Sequence, residues 1–152
     1  MIIGIDPGLA KTGFGIIDDA DGICCVGYGV ITTPSDARLQ IRVQTIFHEI
    51  KGILDMYEPD ELSIERLFFS RNVSSAIEVS HARGVVLLAA AEYGIEVFEY
   101  TPNQIKQAVT GSGRADKKQM QKMVGMLLGI DEKMPADAAD ALAAAICHAH
   151  IR

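Results

Sequence analysis

Four carboxylates in this chain have the spacing and surroundings of a metal-binding cluster. Asp6 ends a β-branched run just before a Pro-Gly turn, and Glu65 ends a second short apolar run, also before a loop. Asp137 and Asp140 lie three residues apart near the start of the last helical segment, which places both on one face of its first turns. Carboxylates that converge repel one another unless a divalent cation compensates their charge. Because oxygen-only ligands favour Mg²⁺ or Mn²⁺ over zinc, we expect such an ion here.

Each of these acids also has an ordinary structural interpretation. Asp137 could cap the last helix, Asp140 could be an exposed acid favoured by the helix dipole, and the two strand-end acids could simply border loops. The combination favours a site, because the last pair is flanked by Ala, Pro, Met and Leu, which solvate isolated carboxylates poorly. Cys147, His148 and His150 are a second group of potential ligands. Their spacing spreads them around a helix, so we interpret them as packing or surface residues.

The elements that must position these acids follow from the hydrophobic pattern. It predicts three antiparallel strands, then alternating helices and strands, and finally three helices. The predicted strands are 2–6, 12–17, 23–31, 62–65 and 95–100. The predicted helices are 38–57, a largely buried one at 73–93, one from 102 to a break at 111–113, one from a cap at 116 to about 128, and one from 136 to about 150. This order favours a three-layer α/β sandwich, in which a mixed five-stranded sheet has helices on both faces.

Length and composition indicate one soluble domain. The chain has 152 residues, a formal net charge of −6 and 49% hydrophobic residues, so a single domain over residues 1–152 can build its own core. The longest uncharged apolar stretch, 84–91, is far shorter than a membrane helix requires, and no secretory signal is visible. Cys24, Cys25 and Cys147 are an odd set that argues against a disulfide framework. We therefore expect a cytoplasmic protein with no membrane span.

Two basic islands stand in this acidic chain. The first, over residues 101–122, has a single acid, and its basic residues are Lys106, Arg114, Lys117, Lys118 and Lys122. The second, over residues 66–83, has three arginines against one acid. A basic run is usually only a solvated face. A polyanionic substrate that approaches four carboxylates, however, needs cations at the rim of the cleft to bind its phosphates.

An aromatic pair, Phe68 and Phe69, follows Glu65 in a loop that has arginines on both sides. Paired loop aromatics are more often buried anchors than ligand contacts. An exposed aromatic flanked by arginines could instead stack on unpaired nucleic-acid bases.

Five groups of residues resemble the motifs of the bacterial RuvC Holliday-junction resolvases. They are Ile-Gly-Ile-Asp-Pro-Gly with Thr-Gly-Phe-Gly, Ile-Glu-Arg-Leu-Phe-Phe-Ser-Arg-Asn, Ala-Arg-Gly-Val, Gln-Ile-Lys-Gln-Ala-Val-Thr-Gly and Ala-Asp-Ala-Ala-Asp-Ala-Leu-Ala, in the family's order and near its spacing. The resemblance implies that the four acids are catalytic metal ligands and that Phe68 contacts the junction. It also implies that Lys106 and Lys117 take part in DNA contacts and catalysis. We add Arg71 and Lys118 as further DNA-binding candidates.

The resemblance implies a ribonuclease-H-like fold that works as a homodimer. The implied activity is a structure-selective endonuclease of recombination and DNA repair, which hydrolyses opposed strands of a four-way junction and leaves 5′-phosphate and 3′-hydroxyl ends. It implies two Mg²⁺ ions per active site, with Mn²⁺ able to substitute, and a branch-migration motor complex of the RuvA and RuvB type as partner. The glycine-rich start also resembles the phosphate loop of actin-like ATPases and sugar kinases, but this chain lacks their duplicated domain. A catalytically silent DNA-binding protein is the other alternative, which the presence of all four acids disfavours.

Overall fold

The structure, a computed structural model, describes residues 1–68 and 72–152. The regular elements in this part of the chain are one five-stranded sheet and five helices. The strands are β1 (Ile2–Asp6), β2 (Lys11–Asp18), β3 (Cys24–Thr32), β4 (Glu61–Glu65) and β5 (Glu96–Tyr100). The helices are α1 (Leu39–Tyr57), α2 (Val73–Glu92), α3 (Pro102–Thr110), α4 (Lys117–Leu128) and α5 (Ala136–Ile151). The predicted order of elements is confirmed.

The central strand of the sheet is β1. The strand order is β3-β2-β1-β4-β5, with antiparallel pairing from β3 to β1 and parallel pairing from β1 to β5. In the parallel pair of β1 and β4, Ile5 lies beside Ile64. Asp6 and Glu65 are the next residues along these two strands, so both stand at the same carboxyl edge of the sheet.

Helices cover both faces of the sheet and form a separate core on each. On one face, α1 and α2 pack on the alternate strand residues Ile3, Ile5 and Ile64. On the other face, α3, α4 and α5 pack on a second set that includes Ile2 and Ile17. Since successive side chains of a strand point to opposite faces, the period of two along each strand determines which helices its residues meet.

Helix α5 lies unusually close to the sheet because glycine and alanine line the contact. From Ala141 to His148 every α5 residue is buried. A Cβ added at Gly4 would overlap the Ala141 carbonyl oxygen, and one added at Gly13 would overlap that of Asp137. The absence of side chains at these two positions therefore fixes how closely α5 approaches β1 and β2.

Helix α2 is not the largely buried helix that its composition predicts, and this prediction was wrong. Its buried residues are Ala76, Ala82, Val86, Ala89 and Ala90. The larger apolar side chains of Val73, Ile77 and Leu88 are more than half exposed. Small residues face α1 and the sheet while larger ones face outward, so apolar content alone does not reveal which side is covered.

Candidate active site

Asp6 and Glu65 project from the same face of the sheet, the one that α5 covers. Asp6 lies two residues after Gly4, whose backbone is in contact with α5, and alternation along the strand gives Asp6 the same direction. Glu65 lies two residues after Ser63, whose hydroxyl donates a hydrogen bond to the Ala144 carbonyl of α5 at 2.6 Å. Both carboxyls therefore lie at the edge of the sheet beneath the start of α5.

The first turns of α5 bring Asp137 and Asp140 to these two strand ends. Asp6 pairs in register with Gly13 on β2, and the backbone of Asp137 lies directly over Gly13. Asp140 follows three residues later on the same side of the helix. The backbone of β1, β4 and α5 therefore brings four acids to one edge of the sheet, as predicted; they are Asp6, Glu65, Asp137 and Asp140.

The four acids share one electrostatic environment. Burial, and then the charges of Asp140, Asp137 and Glu65, raise the pKa of Asp6 from 3.8 to about 7. Burial and the charge of Asp140 also raise the pKa of Glu65. Burial raises the pKa of Asp140 as well, although the ammonium of Lys117 opposes that shift. Negative charge on these acids is therefore unfavourable, and a nearby cation would relieve it.

Two lysines border the acids. The Nζ atom of Lys117 lies 3.4 Å from an Asp140 carboxylate oxygen, and the charge of Asp140 raises the pKa of that lysine. Lys117 is the first residue of α4, whose start is fixed by the capping side chain of Asp116. Lys106 on α3 lines the same cavity of about 280 Å³ as Lys117, Glu65 and Asp140. The cavity thus presents both carboxylates and cations to whatever enters it.

The donor set has the chemistry that a hard divalent cation requires, namely carboxylate oxygens that destabilise one another when unneutralised. Among residues 1–68 and 72–152, however, no three His, Cys, Asp or Glu side chains are close enough to hold one ion as they stand. Asp140 is paired with Lys117 instead. The residues fit Mg²⁺ or Mn²⁺ in the chemistry of their donor atoms, and their side chains would have to rotate towards one another to hold one ion.

Phe68 is exposed, with 54% of its surface accessible. It lies with Leu67, Val73 and Ile77 around a small apolar pocket of about 110 Å³. Its position is therefore compatible with contact to an external ring and not with a core anchor. Arg71 and Phe69 lie outside the described residues.

Lys118 is exposed on α4 and does not line the cavity beside the acids. It borders a separate groove with Lys122 and Lys133, in which Asp131 and Glu132 also lie. The basic island of residues 101–122 is therefore divided, and only Lys106 and Lys117 point to the acid cluster.

Sequence reasoning missed the structural role of Arg83. Its guanidinium donates to the Glu65 backbone carbonyl at 2.7 Å and pairs with Glu99 at 2.9 Å. Only 11% of its side chain is exposed. Arg83 thus ties the end of β4, where Glu65 stands, to α2 and β5. The available signal was that Arg83 is the one Lys or Arg residue of α2.

The second group of potential ligands is dispersed as expected. Cys147 and His148 are buried and His150 is exposed. The His148 ring contacts the Tyr100 hydroxyl at 2.6 Å and a Glu61 carboxylate oxygen at 3.1 Å. All three cysteines are free.

Comparison with known proteins places this geometry in a family. The family model described as crossover junction endodeoxyribonuclease RuvC matches residues 2–148. The chain belongs to the RuvC family. It is 52% identical over 152 residues to the RuvC of Alkaliphilus oremlandii, covering 99% of this chain and 93% of that protein. It is 49% identical over 152 residues to that of Heliobacterium modesticaldum, covering 99% and 94% respectively.

Solved structures support the same family and fold. Thermus thermophilus RuvC in complex with a Holliday junction substrate matches with a TM-score of 0.91 and 36% identity, over 98% of this chain and 92% of that one. The yeast mitochondrial Holliday junction resolvase Ydc2 matches with a TM-score of 0.71 at 11% identity, over 98% and 77%; this second likeness concerns the fold alone. The predicted α/β fold, a mixed sheet of the ribonuclease-H-like resolvase type, is confirmed.

Proposed function

We propose that this chain resolves four-way DNA junctions by hydrolysing phosphodiesters at the cluster of Asp6, Glu65, Asp137 and Asp140. The observation that carries the proposal is the convergence of four carboxylates and two lysines at one edge of the sheet, in a chain of the RuvC family. A relative in that family has been solved with a Holliday junction bound. A DNA phosphate can approach four acids only if cations offset their charge, and the site is bordered by such cations.

The four acids would hold Mg²⁺, two ions per active site, and Mn²⁺ would substitute. Metal held by these acids would supply Lewis-acid chemistry, namely activation of the attacking water and stabilisation of the leaving 3′-oxygen. The chain's own contribution is to hold the carboxylates in place from β1, β4 and α5, with Arg83 fixing the backbone at Glu65. The expected products are nicks with a 5′-phosphate and a 3′-hydroxyl.

The surrounding residues would bind the DNA. Lys106 and Lys117 line the cavity beside the acids and would contact the phosphates nearest the cut. Lys118, exposed on the same helix as Lys117, would contact a more distant phosphate. Phe68 would stack on bases at the branch point, where pairing is interrupted. Arg71, in the same connection as Phe68, is proposed as a further phosphate contact.

The exposed face of α2 supports a homodimer. Among the helices of the described residues, only α2 has the length and apolar composition that a membrane span needs. Only 22% of its most apolar 18-residue stretch is buried in the protein. Its small residues already pack against the protein's own core, and Arg83 on the same helix is engaged with Glu65 and Glu99. A second copy of the chain would cover the exposed Ile77 and Leu88 and place two identical sites about a two-fold axis.

Three broader features complete the proposal. Residues 1–152 would act as a single nuclease domain in the cytoplasm. Paired cuts in opposed strands would follow from the two-fold symmetry of the dimer. A branch-migration motor of the RuvA and RuvB type would deliver the junction.

The proposal is tested with end-labelled synthetic substrates. A four-way junction, a linear duplex and an RNA–DNA hybrid are each incubated with EDTA, Mg²⁺, Mn²⁺ or Ca²⁺. We expect cutting of the junction alone, with Mg²⁺ or Mn²⁺ and not with EDTA. Cutting confined to the hybrid would instead indicate ribonuclease H activity, and binding without metal-dependent cutting would indicate a silent DNA-binding protein.

A further inference from the structure

Lys117 is the cation most closely associated with the acid cluster in the described part of the chain. Its Nζ lies 3.4 Å from the Asp140 carboxylate. Its charge acts on Asp6, Glu65 and Asp140, whereas that of Lys106 acts on Glu65 only. One side chain thus offsets the repulsion of three acids.

The position of Lys117 is fixed at the backbone and free at the tip. Its backbone begins α4, where the capping box of Asp116 and Gln119 holds the first turn in both directions. Its side chain is 68% exposed. The ammonium can therefore leave Asp140 without any change in the helix, because only side-chain torsions need to rotate.

We propose that Lys117 is a built-in counter-cation, which holds Asp140 while the cluster has no metal and is displaced from it when a divalent ion binds. This inference rests on the proposed metal-dependent function and adds a regulation of the same site. An ammonium and a divalent cation repel each other, so a metal ion bound at Asp140 weakens the pair of Lys117 and Asp140. Because the Lys117 side chain is 68% exposed, its ammonium can then move away from Asp140 into solvent.

Two consequences follow from the displacement. The metal-free site remains folded with less repulsion, at the expense of metal affinity. Once released, the ammonium stays beside the cavity that Lys106 also lines, where a DNA phosphate arrives. Metal loading thus converts Lys117 from a partner of Asp140 into a cation available to the substrate.

The test measures Mn²⁺ binding without DNA, so that loss of DNA contacts cannot contribute. Mn²⁺ is titrated into the full chain at fixed ionic strength, and the free ion is followed by electron paramagnetic resonance. The variants are Lys117→Met, which removes the charge from a chain of similar length, and Lys117→Arg, which keeps it. Lys118→Met is the matched control, because it removes a neighbouring charge that does not line the cavity.

We expect Lys117→Met to bind Mn²⁺ about three- to fivefold more tightly than the parent, since the competing ion pair is gone. Lys117→Arg and Lys118→Met should bind within about twofold of the parent. Thermal unfolding in EDTA gives a second measurement: Lys117→Met should melt below Lys118→Met, and saturating Mn²⁺ should reduce that difference.

Unchanged or weaker Mn²⁺ binding by Lys117→Met would overturn the counter-cation role and leave the proposed nuclease function standing. A parent chain that binds no Mn²⁺ while still folded would overturn both. Equal tightening by Lys117→Met and Lys118→Met would also refute the inference, because it would show a general effect of net charge.

Discussion

Replacing Asp6 with asparagine should stabilise the metal-free protein at neutral and alkaline pH. The pKa of Asp6 is raised from 3.8 to about 7 by burial and by three neighbouring carboxylates. In the folded protein the carboxyl keeps its proton up to about pH 7, whereas the unfolded chain loses it near pH 4. The contribution of Asp6 to folded stability therefore falls as the pH rises through this window and is constant above it. The amide of the Asp6→Asn variant does not ionise, so the variant does not suffer this loss.

The size of the effect follows from the interval between the two pKa values. Each pH unit between them corresponds to about 1.4 kcal/mol. An interval from 3.8 to about 7 therefore gives a maximum difference on the order of 4 kcal/mol above pH 7. The difference should shrink towards zero as the pH approaches 4. Added Mg²⁺ should stabilise the parent but not the variant, since ligand binding to the native state adds stability by mass action.

The assay is urea unfolding in EDTA at about pH 5 and about pH 8, at one protein concentration. Asp36→Asn is the control, because it neutralises an exposed acid in the connection between β3 and α1. That control should change stability little at either pH. A destabilised Asp6→Asn protein at pH 8, or a difference that does not vary with pH, would refute the account of the acid cluster.

Three further predictions concern the surroundings of the cluster. Lys106→Ala should lower the salt slope of log K for junction binding by about 0.9. The control Lys51→Ala, on α1 at the opposite face of the sheet, should leave that slope unchanged. Equal slopes for the two variants in a salt titration would show that Lys106 contacts no phosphate. Phe68→Ala should melt near the parent, since the ring is exposed, yet cut junctions far more slowly; a large drop in melting temperature by calorimetry would place the ring in the core. Gly13→Ala should weaken Mn²⁺ binding and lower the melting temperature, because its Cβ would overlap the Asp137 carbonyl. The control Gly52→Ala, at an exposed helical glycine with open space around it, should instead raise the free energy of unfolding by about 0.5–1 kcal/mol. The same response from both glycine variants would contradict the role of Gly13.

Much of the fold and of the acid set could be predicted from sequence, because both depend on short-range periodicity. The apolar runs that end before loops assign Asp6 and Glu65 to strand ends, and the helical period puts Asp137 and Asp140 on one side of α5. Pro and Gly residues, which end or begin helices and strands, marked the boundaries between elements. The family resemblance supplied the activity and the partners, which no periodicity contains.

The remaining features depend on contacts between elements that are distant in the chain. The bond from Arg83 to the Glu65 carbonyl joins α2 to β4, and the pair of Lys117 and Asp140 joins α4 to α5. Neither partner can be read from local sequence. The burial of α2 was predicted wrongly for a related reason, because an apolar helix has the same sequence pattern whether its outer side meets the core or is left exposed.

The central claim is that one cluster of four acids cuts the two opposed strands of a junction. It is tested most directly by following paired nicks on a junction whose opposed strands carry different labels, with Mg²⁺ and then with DNA ligase. The parent should nick both labelled strands at symmetric positions, and ligase should seal the nicks. Asp6→Asn, Glu65→Gln, Asp137→Asn and Asp140→Asn should each abolish both nicks while binding the junction at least as tightly as the parent, since each change removes negative charge. Full nicking by any one of the four variants, or equally fast cutting of a linear duplex by the parent, would contradict the account.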